Sequence, residues 1–202
     1  MYDEDYPEEA EILGKIFKIN TDYRYGLAAF NTIEDEELND STRAIAVVTI
    51  LFGQEGKNGE IINVPDESPE MLEKALNIAG RFLCCGKEPK DSKPSKKDMD
   101  FNYDKKYINS SFLSDYQIDI EQVKMHWWKY CNLIAGFTDN CVLSKIRDIR
   151  NIDLNDYKDT KQKAKLKEAI DNVALPIKYT VEEQEEIDEF EALFLGDGKD
   201  EK

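Results

Sequence analysis

The sequence has one histidine, His126, and no run of apolar residues near the roughly 18 to 20 that a membrane-spanning helix needs. A single histidine leaves little room for a histidine-based triad or metal centre. The four cysteines, Cys84, Cys85, Cys131 and Cys141, fit no two-pair metal spacing. Adjacent cysteines such as Cys84 and Cys85 strain a mutual bridge, so all four are expected as reduced thiols in helices. No Gly-rich phosphate loop, nucleophile elbow or His-Glu-x-x-His helix is present. Neither metal, cofactor nor catalytic residue is therefore expected, and pairs such as Glu36 and Glu37 read as surface or capping groups. The N-terminus is acidic where a secretory signal is basic and then apolar, so the chain is expected to stay in the cytosol where it is made.

Charge, by contrast, is abundant and uneven. The net value of −16 comes from 43 acids and 27 bases. Residues 1–11 hold six acids and no base, and residues 181–202 hold ten acids against Lys199 and Lys202, which leaves −2 for residues 12–180. The body is nearly neutral and the ends are acidic. Within it, lysines gather at Lys87, Lys90, Lys93, Lys96 and Lys97, and again at Lys158, Lys161, Lys163, Lys165 and Lys167. Such clusters attract phosphates, but here they alternate with Glu88, Asp91, Asp98, Asp156 and Asp159 and lack stacking aromatics, which favours a solvated linker and a solvated helix face over a nucleic-acid site.

The apolar residues recur at helical spacing. Thr21 or Asp22 can cap a first helix through about Ile33, with Tyr23, Leu27, Phe30 and Ile33 on one stripe. Asp40 or Ser41 opens a second, apolar around much of its girth, that Gly53 closes. Ile61–Val64 is a short extended piece, too isolated to imply a sheet. Ser68 and Pro69 start a third helix that Gly86 ends. A fourth runs from Asp104 to about Gln117. A fifth, capped by Asp119, carries Val123, Trp127, Tyr130 and Ile134, and Gly136 stops it. Thr138 or Asp139 begins a sixth, and residues 155–173 form a lysine-rich seventh that packs by one edge. Thr180 with Glu183 is a capping-box signature for a short acidic helix. The expected architecture is one compact all-α domain of about seven helices over residues 20–176, with acidic extensions at 1–19 and 177–202. Trp127 reads as core, and His126 beside it as hydrogen-bonded structure more than as a general base.

Several runs carry a family resemblance: Thr21-Asp22-Tyr23-Arg24, Phe82-Leu83-Cys84-Cys85-Gly86-Lys87, Asp100-Phe101 and Ala174-Leu175-Pro176. Most specific are Tyr107-Ile108, Phe112, Tyr116-Gln117-Ile118-Asp119-Ile120 and His126-Trp127-Trp128-Lys129-Tyr130, followed by Gly136. Together they resemble the phage gene product fifteen family, whose members are similar to tail-morphogenesis proteins of long-tailed phages and prophages of Gram-positive bacteria. The resemblance implies a tail assembly chaperone in the host cytoplasm, with the tape measure protein and major tail protein as partners and no catalytic residues. The doubled cysteine before Gly86 and the long acidic extension after Pro176 depart from the family pattern. Candidate partner-binding residues are Ile187, Phe190 and Phe194, which form a stripe in the C-terminal segment, together with Trp128. That segment is too short and acidic to stand alone, so it docks on the lysine-rich seventh helix or on a neighbouring protein, of which the resemblance favours the tape measure protein. Self-association is a further possibility. The alternative role is a DNA-packaging or regulatory adaptor that uses helix 155–173 and a DNA-mimicking acidic tail.

Overall fold

The computed structural model describes residues 6–87 and 97–176. Within them lie β1 (Glu9–Ile12), β2 (Lys15–Lys18), α1 (Tyr23–Ile33), α2 (Asp40–Phe52), β3 (Gln54–Glu55), β4 (Ile61–Ile62), α3 (Pro69–Leu83), α4 (Lys105–Tyr116), α5 (Trp127–Ala135), α6 (Val142–Arg150) and α7 (Thr160–Val173). The fold is mostly helical, with two small antiparallel sheets that the all-α expectation omitted. One is β1–β2, where Ile12 faces Lys15 across a two-residue loop. Leu13 and Gly14 both have positive φ, 49° and 75°, the geometry of a type I′ turn whose twist matches that of paired strands. Leucine in the first turn position hides the usual Asn-Gly or Asp-Gly signal. Ile12, Phe17 and Ile19 are buried against the helices while Ile16 points outward, 71% exposed. The segment read as an acidic extension thus places a hairpin on the body. The second sheet pairs β3 with β4, so the extended piece at Ile61 does find a partner.

α2 opens at Asp40 as expected, with Asn39 as its cap, accepting from the Thr42 N–H at 2.9 Å. Later helix starts differ from expectation, each for a local reason. Cys141 caps α6, with Sγ accepting from Ser144 N–H at 3.4 Å, in place of Thr138 or Asp139. The lysine-rich helix is split: a 3-10 turn at Leu154–Asp156 precedes α7, which Asp159 caps. Of the thiols, only Cys131 lies within a helix; Cys84 and Cys141 are caps and Cys85 sits at φ 53°. All four are free.

The fifth helix starts eight residues later than Asp119, at Trp127. Residues 119–125 instead turn their carbonyls sideways: Tyr23 Oη donates to Ile120 O at 3.0 Å, and Arg24 Nη2 donates to Glu121 O and Val123 O at 2.9 and 3.1 Å. A helix here would claim those acceptors itself. Asp119 holds the turn through Glu121 N–H at 3.2 Å, and Ile120 and Met125 fill the core from this irregular stretch.

The core centres on Trp127, Phe52, Phe112, Leu51, Ile108 and Ile120, all at most 1% exposed. Trp127 lies across α1 at Gly26, where an added Cβ would overlap the indole ring, so the two helices approach as closely as glycine permits. Asn20 ties the hairpin to the end of α2 by donating to Ile50 O and Gly53 O at 2.8 and 2.7 Å.

Candidate partner-binding surface

Two chain segments far apart in sequence meet at the start of α5. Asp22 and His126 form an isolated antiparallel bridge, flanked by Tyr23 N–H to Met125 O at 2.8 Å and Trp127 N–H to Thr21 O at 2.7 Å. This pairing sets the first turns of α1 and α5 side by side. His126 then caps α5: its Nδ1 accepts from Trp128 N–H at 3.1 Å. An accepting Nδ1 leaves the proton on Nε2, which donates to Pro7 O at 3.2 Å. Tyr6 stacks on the imidazole at 4.7 Å. Burial is the largest influence on this ring and pushes its pKa below 6.5, against the pull of the Pro7 carbonyl and the Glu8 charge. His126 is a neutral cap with both nitrogens engaged.

The two tryptophans divide their tasks. Trp127 points inward, 1% exposed, with Nε1 donating to Leu83 O at 3.0 Å. Trp128 turns aside, and its Nε1 donates to Phe82 O at 2.8 Å. Both indoles thereby donate to carbonyls at the C-terminal end of α3, where intrahelical donors run out; Phe82 O also accepts from Cys85 N–H at 3.0 Å. The half-buried face of Trp128 lines an open, apolar cleft of about 180 Å³ with Pro7, Ala10, Ile19, Ile78 and Phe82. Glu9 and Arg81 stand on its rim. Gly86, at φ 76°, lets the chain pass close to the indole, 3.0 Å from where its Cβ would be.

On the opposite edge is a polar arrangement that the sequence reading did not find. Asp104 was expected to start α4 and does occupy the cap position, but its side chain makes no cap bond. Its carboxylate pairs with Arg150 in a two-pronged contact of 2.7 and 2.8 Å, the residues 0% and 3% exposed. Arg150 also donates to Asp98 O at 2.9 Å and to Val173 O at 2.6 Å, joining α4, α6, the 98–104 segment and the end of α7. Beside it, burial opposes ionisation of Asp98, but hydrogen bonds from Arg147 and Asn151 outweigh it and hold the carboxyl below the usual range. The available signal was a pair of arginines, Arg147 and Arg150, in the last turn of an amphipathic helix, which read equally as surface residues.

Of the sequence-predicted binding residues, only Trp128 is among the described residues, and it sits in the cleft. Ile187, Phe190 and Phe194 lie outside the described residues. A family model described as Bacteriophage Gp15 protein matches residues 3–175. The chain belongs to this family. The Gp15 match runs from ahead of the hairpin to just past α7, so the cleft and the Asp104–Arg150 clamp both fall within it and the acidic residues after Pro176 fall outside. No curated protein and no solved structure matches the chain. The runs that carry the resemblance are structural here: Phe112 and Tyr130 stack at 5.4 Å, Tyr116 Oη donates to Leu133 O at 2.8 Å, and Gln117 takes φ 56° to end α4. No helix among the described residues is long and apolar enough to cross a membrane.

Proposed function

We propose that this Gp15 family member is a phage tail assembly chaperone, acting in the host cytoplasm by binding the tape measure protein, the major tail protein or both, without catalysis. Membership in the bacteriophage family carries the reading. The Trp128 cleft supports it: an apolar groove with charged rims is the kind of surface that receives the apolar face of a partner helix. A protein that shields an aggregation-prone partner also needs a charged exterior, which the acid excess supplies.

Co-expression tests this directly. The wild-type chain should raise the soluble fraction of the tape measure protein from the same phage, and Glu9→Arg, an exposed position beside the cleft, should reduce that effect while the melting temperature stays near wild type. No gain in solubility for either tail protein would sink the proposal. One observation favours the adaptor alternative: Lys161, Lys165 and Lys167 are exposed on α7 and form no ion pair among the described residues. A gel shift on random duplex at low salt decides it, since a nucleic-acid site of this kind must show there first.

A further inference from the structure

We infer that Cys85 and Cys131 form a modification site, a dithiol that a hydroperoxide converts to a disulfide tying the end of α3 to α5. Both cysteines are free and half-buried. The backbone around Cys85 is built to present its side chain. α3 ends by folding back on its last carbonyls, with Gly86 N–H donating to Arg81 O at 2.8 Å and Cys85 N–H to Phe82 O at 3.0 Å. The residue just past the cap of such a turn takes a left-handed conformation, and glycine is the usual choice because a Cβ is strained at positive φ. Here that residue is Cys85, at φ 53°, although Gly86 stands one position later. A side chain kept where glycine is favoured points to a task for that side chain.

α5 supplies the other half. The Trp127 and Trp128 indoles donate to Leu83 O and Phe82 O at 3.0 and 2.8 Å, so two bonds fasten the end of α3 to the first turn of α5. Cys131 lies one turn beyond Trp127 on the same face of α5. The two thiols meet there, with the Cys131 S–H donating to the Cys85 sulfur. That bond is the largest influence holding the Cys85 thiol below its usual range, against burial and with help from the Lys87 charge; the same bond, together with burial, pushes the Cys131 thiol up. Cys131 also lines an open cleft with Met99, Phe101 and Ile134, which leaves its side of the pair within reach of small solutes. The other two thiols lack this setting: Cys84 is exposed, and Cys141 is buried as the cap of α6.

These protonation states set the roles. The Cys85 thiolate attacks one oxygen of the hydroperoxide: an S–O bond forms, the O–O bond breaks, and the other oxygen takes a proton from solvent and leaves as water or an alcohol. The Cys131 sulfur then attacks the Cys85 sulfenic acid. The S–S bond forms, the S–O bond breaks, and the hydroxide leaves with the Cys131 proton as water. Two thiols lose two electrons in all, and the hydroperoxide gains them. A dithiol reductant reverses the product by two thiol–disulfide exchanges. The bond adds a covalent strut beside the Trp128 cleft, of which Phe82 and Gly86 are walls.

The full-length wild-type chain tests it by treatment with equimolar hydrogen peroxide, alkylation of the remaining thiols and peptide mapping without reductant. A crosslinked Cys85–Cys131 peptide from the monomer should be the main product, with Cys84 and Cys141 alkylated. The melting temperature should rise by about 10 °C, because the bond closes a long loop in the unfolded chain, and dithiothreitol should return it to its starting value. Cys131→Ser should abolish the crosslink and leave Cys85 as a sulfenic acid that dimedone traps, whereas Cys84→Ser should change neither crosslink nor melting temperature. A Cys84–Cys85 or interchain bond as the main product, or a Cys85 that peroxide leaves unoxidised, overturns the inference. A Cys85–Cys131 bond that lowers the melting temperature overturns it too, since the helices would then have to part for the sulfurs to join.

Discussion

Around α5, Trp127, Tyr130, Phe112 and Phe101 sit ring to ring with centroids 5.4 to 6.3 Å apart. At the other edge, α7 buries nothing fully, and its end is held by one guanidinium bonded to Val173 O. Apolar burial is non-directional and shared among many contacts, so the centre should yield only as a whole. The edge rests on a few directional polar bonds in a buried ion pair, so one substitution can release it while the centre persists. The two regions should therefore differ in how far damage spreads.

The largest effect is expected from Trp127→Ala, which removes the largest of the fully buried side chains and its bond to Leu83 O. A loss of about 3 to 5 kcal/mol in urea unfolding is expected, with all helices lost together. If this variant melts like wild type and loses only a partner, the ring is not core. Arg150→Met comes next at about 3 kcal/mol, because it strands the Asp104 carboxylate in the interior. Exchange over α7 should rise before that of α1, and Asp104→Leu with Arg150→Met together should recover most of the loss. A double variant no better than the single would show that the stranded charge is not the cause.

Gly26→Ala should cost about 1 to 3 kcal/mol, since the new methyl overlaps a buried indole that has little room to withdraw. Wild-type stability of Gly26→Ala would show that α1 and α5 can slide apart, which blurs the contrast between a rigid centre and a loose edge. The smallest effect should be the pH response of His126. Its folded pKa is depressed, so the unfolded chain binds the extra proton more readily, and stability should fall as pH drops from about 7 to about 5. Asp98 and Asp100, also held below 3.8 when folded, lose their contribution only at lower pH. His126→Asn keeps a capping side chain without a titrating group, and its thermal stability should be flat across that window.

The helical plan was legible because caps and apolar stripes are local: Asp22, Ser68 and Gly53 mark the ends of α1, α3 and α2 as read. What escaped was set by distant partners. Arg24 takes the carbonyls that would have let a helix run from Asp119, and no periodicity shows that. The β1–β2 turn uses Leu13 in a left-handed conformation, sustained by the burial of Ile12 and Phe17 on either side and not by turn chemistry. Asp104 is a proper cap residue whose carboxylate is diverted to Arg150, 46 positions away. At the candidate surface, Trp128 could be singled out as a pair member, but only the structure shows the α3 carbonyls that turn it from its neighbour.

The pairing of Thr21–Tyr23 with Met125–Trp127 also bears on synthesis. Met125 N–H reaches back 103 residues to the Asp22 carboxylate. Because chains emerge N-terminus first, α1 is made long before the ring that seals it at Gly26, and contacts this distant in sequence form late. A ribosome-held chain ending at residue 120 should therefore leave α1 open to protease, with protection arriving once α5 has cleared the exit tunnel. Early protection would mean the first helices close by themselves. On this ordering the nascent chain spends most of its synthesis with the Gly26 face of α1 uncovered, and the folding step that seals it is gated by translation.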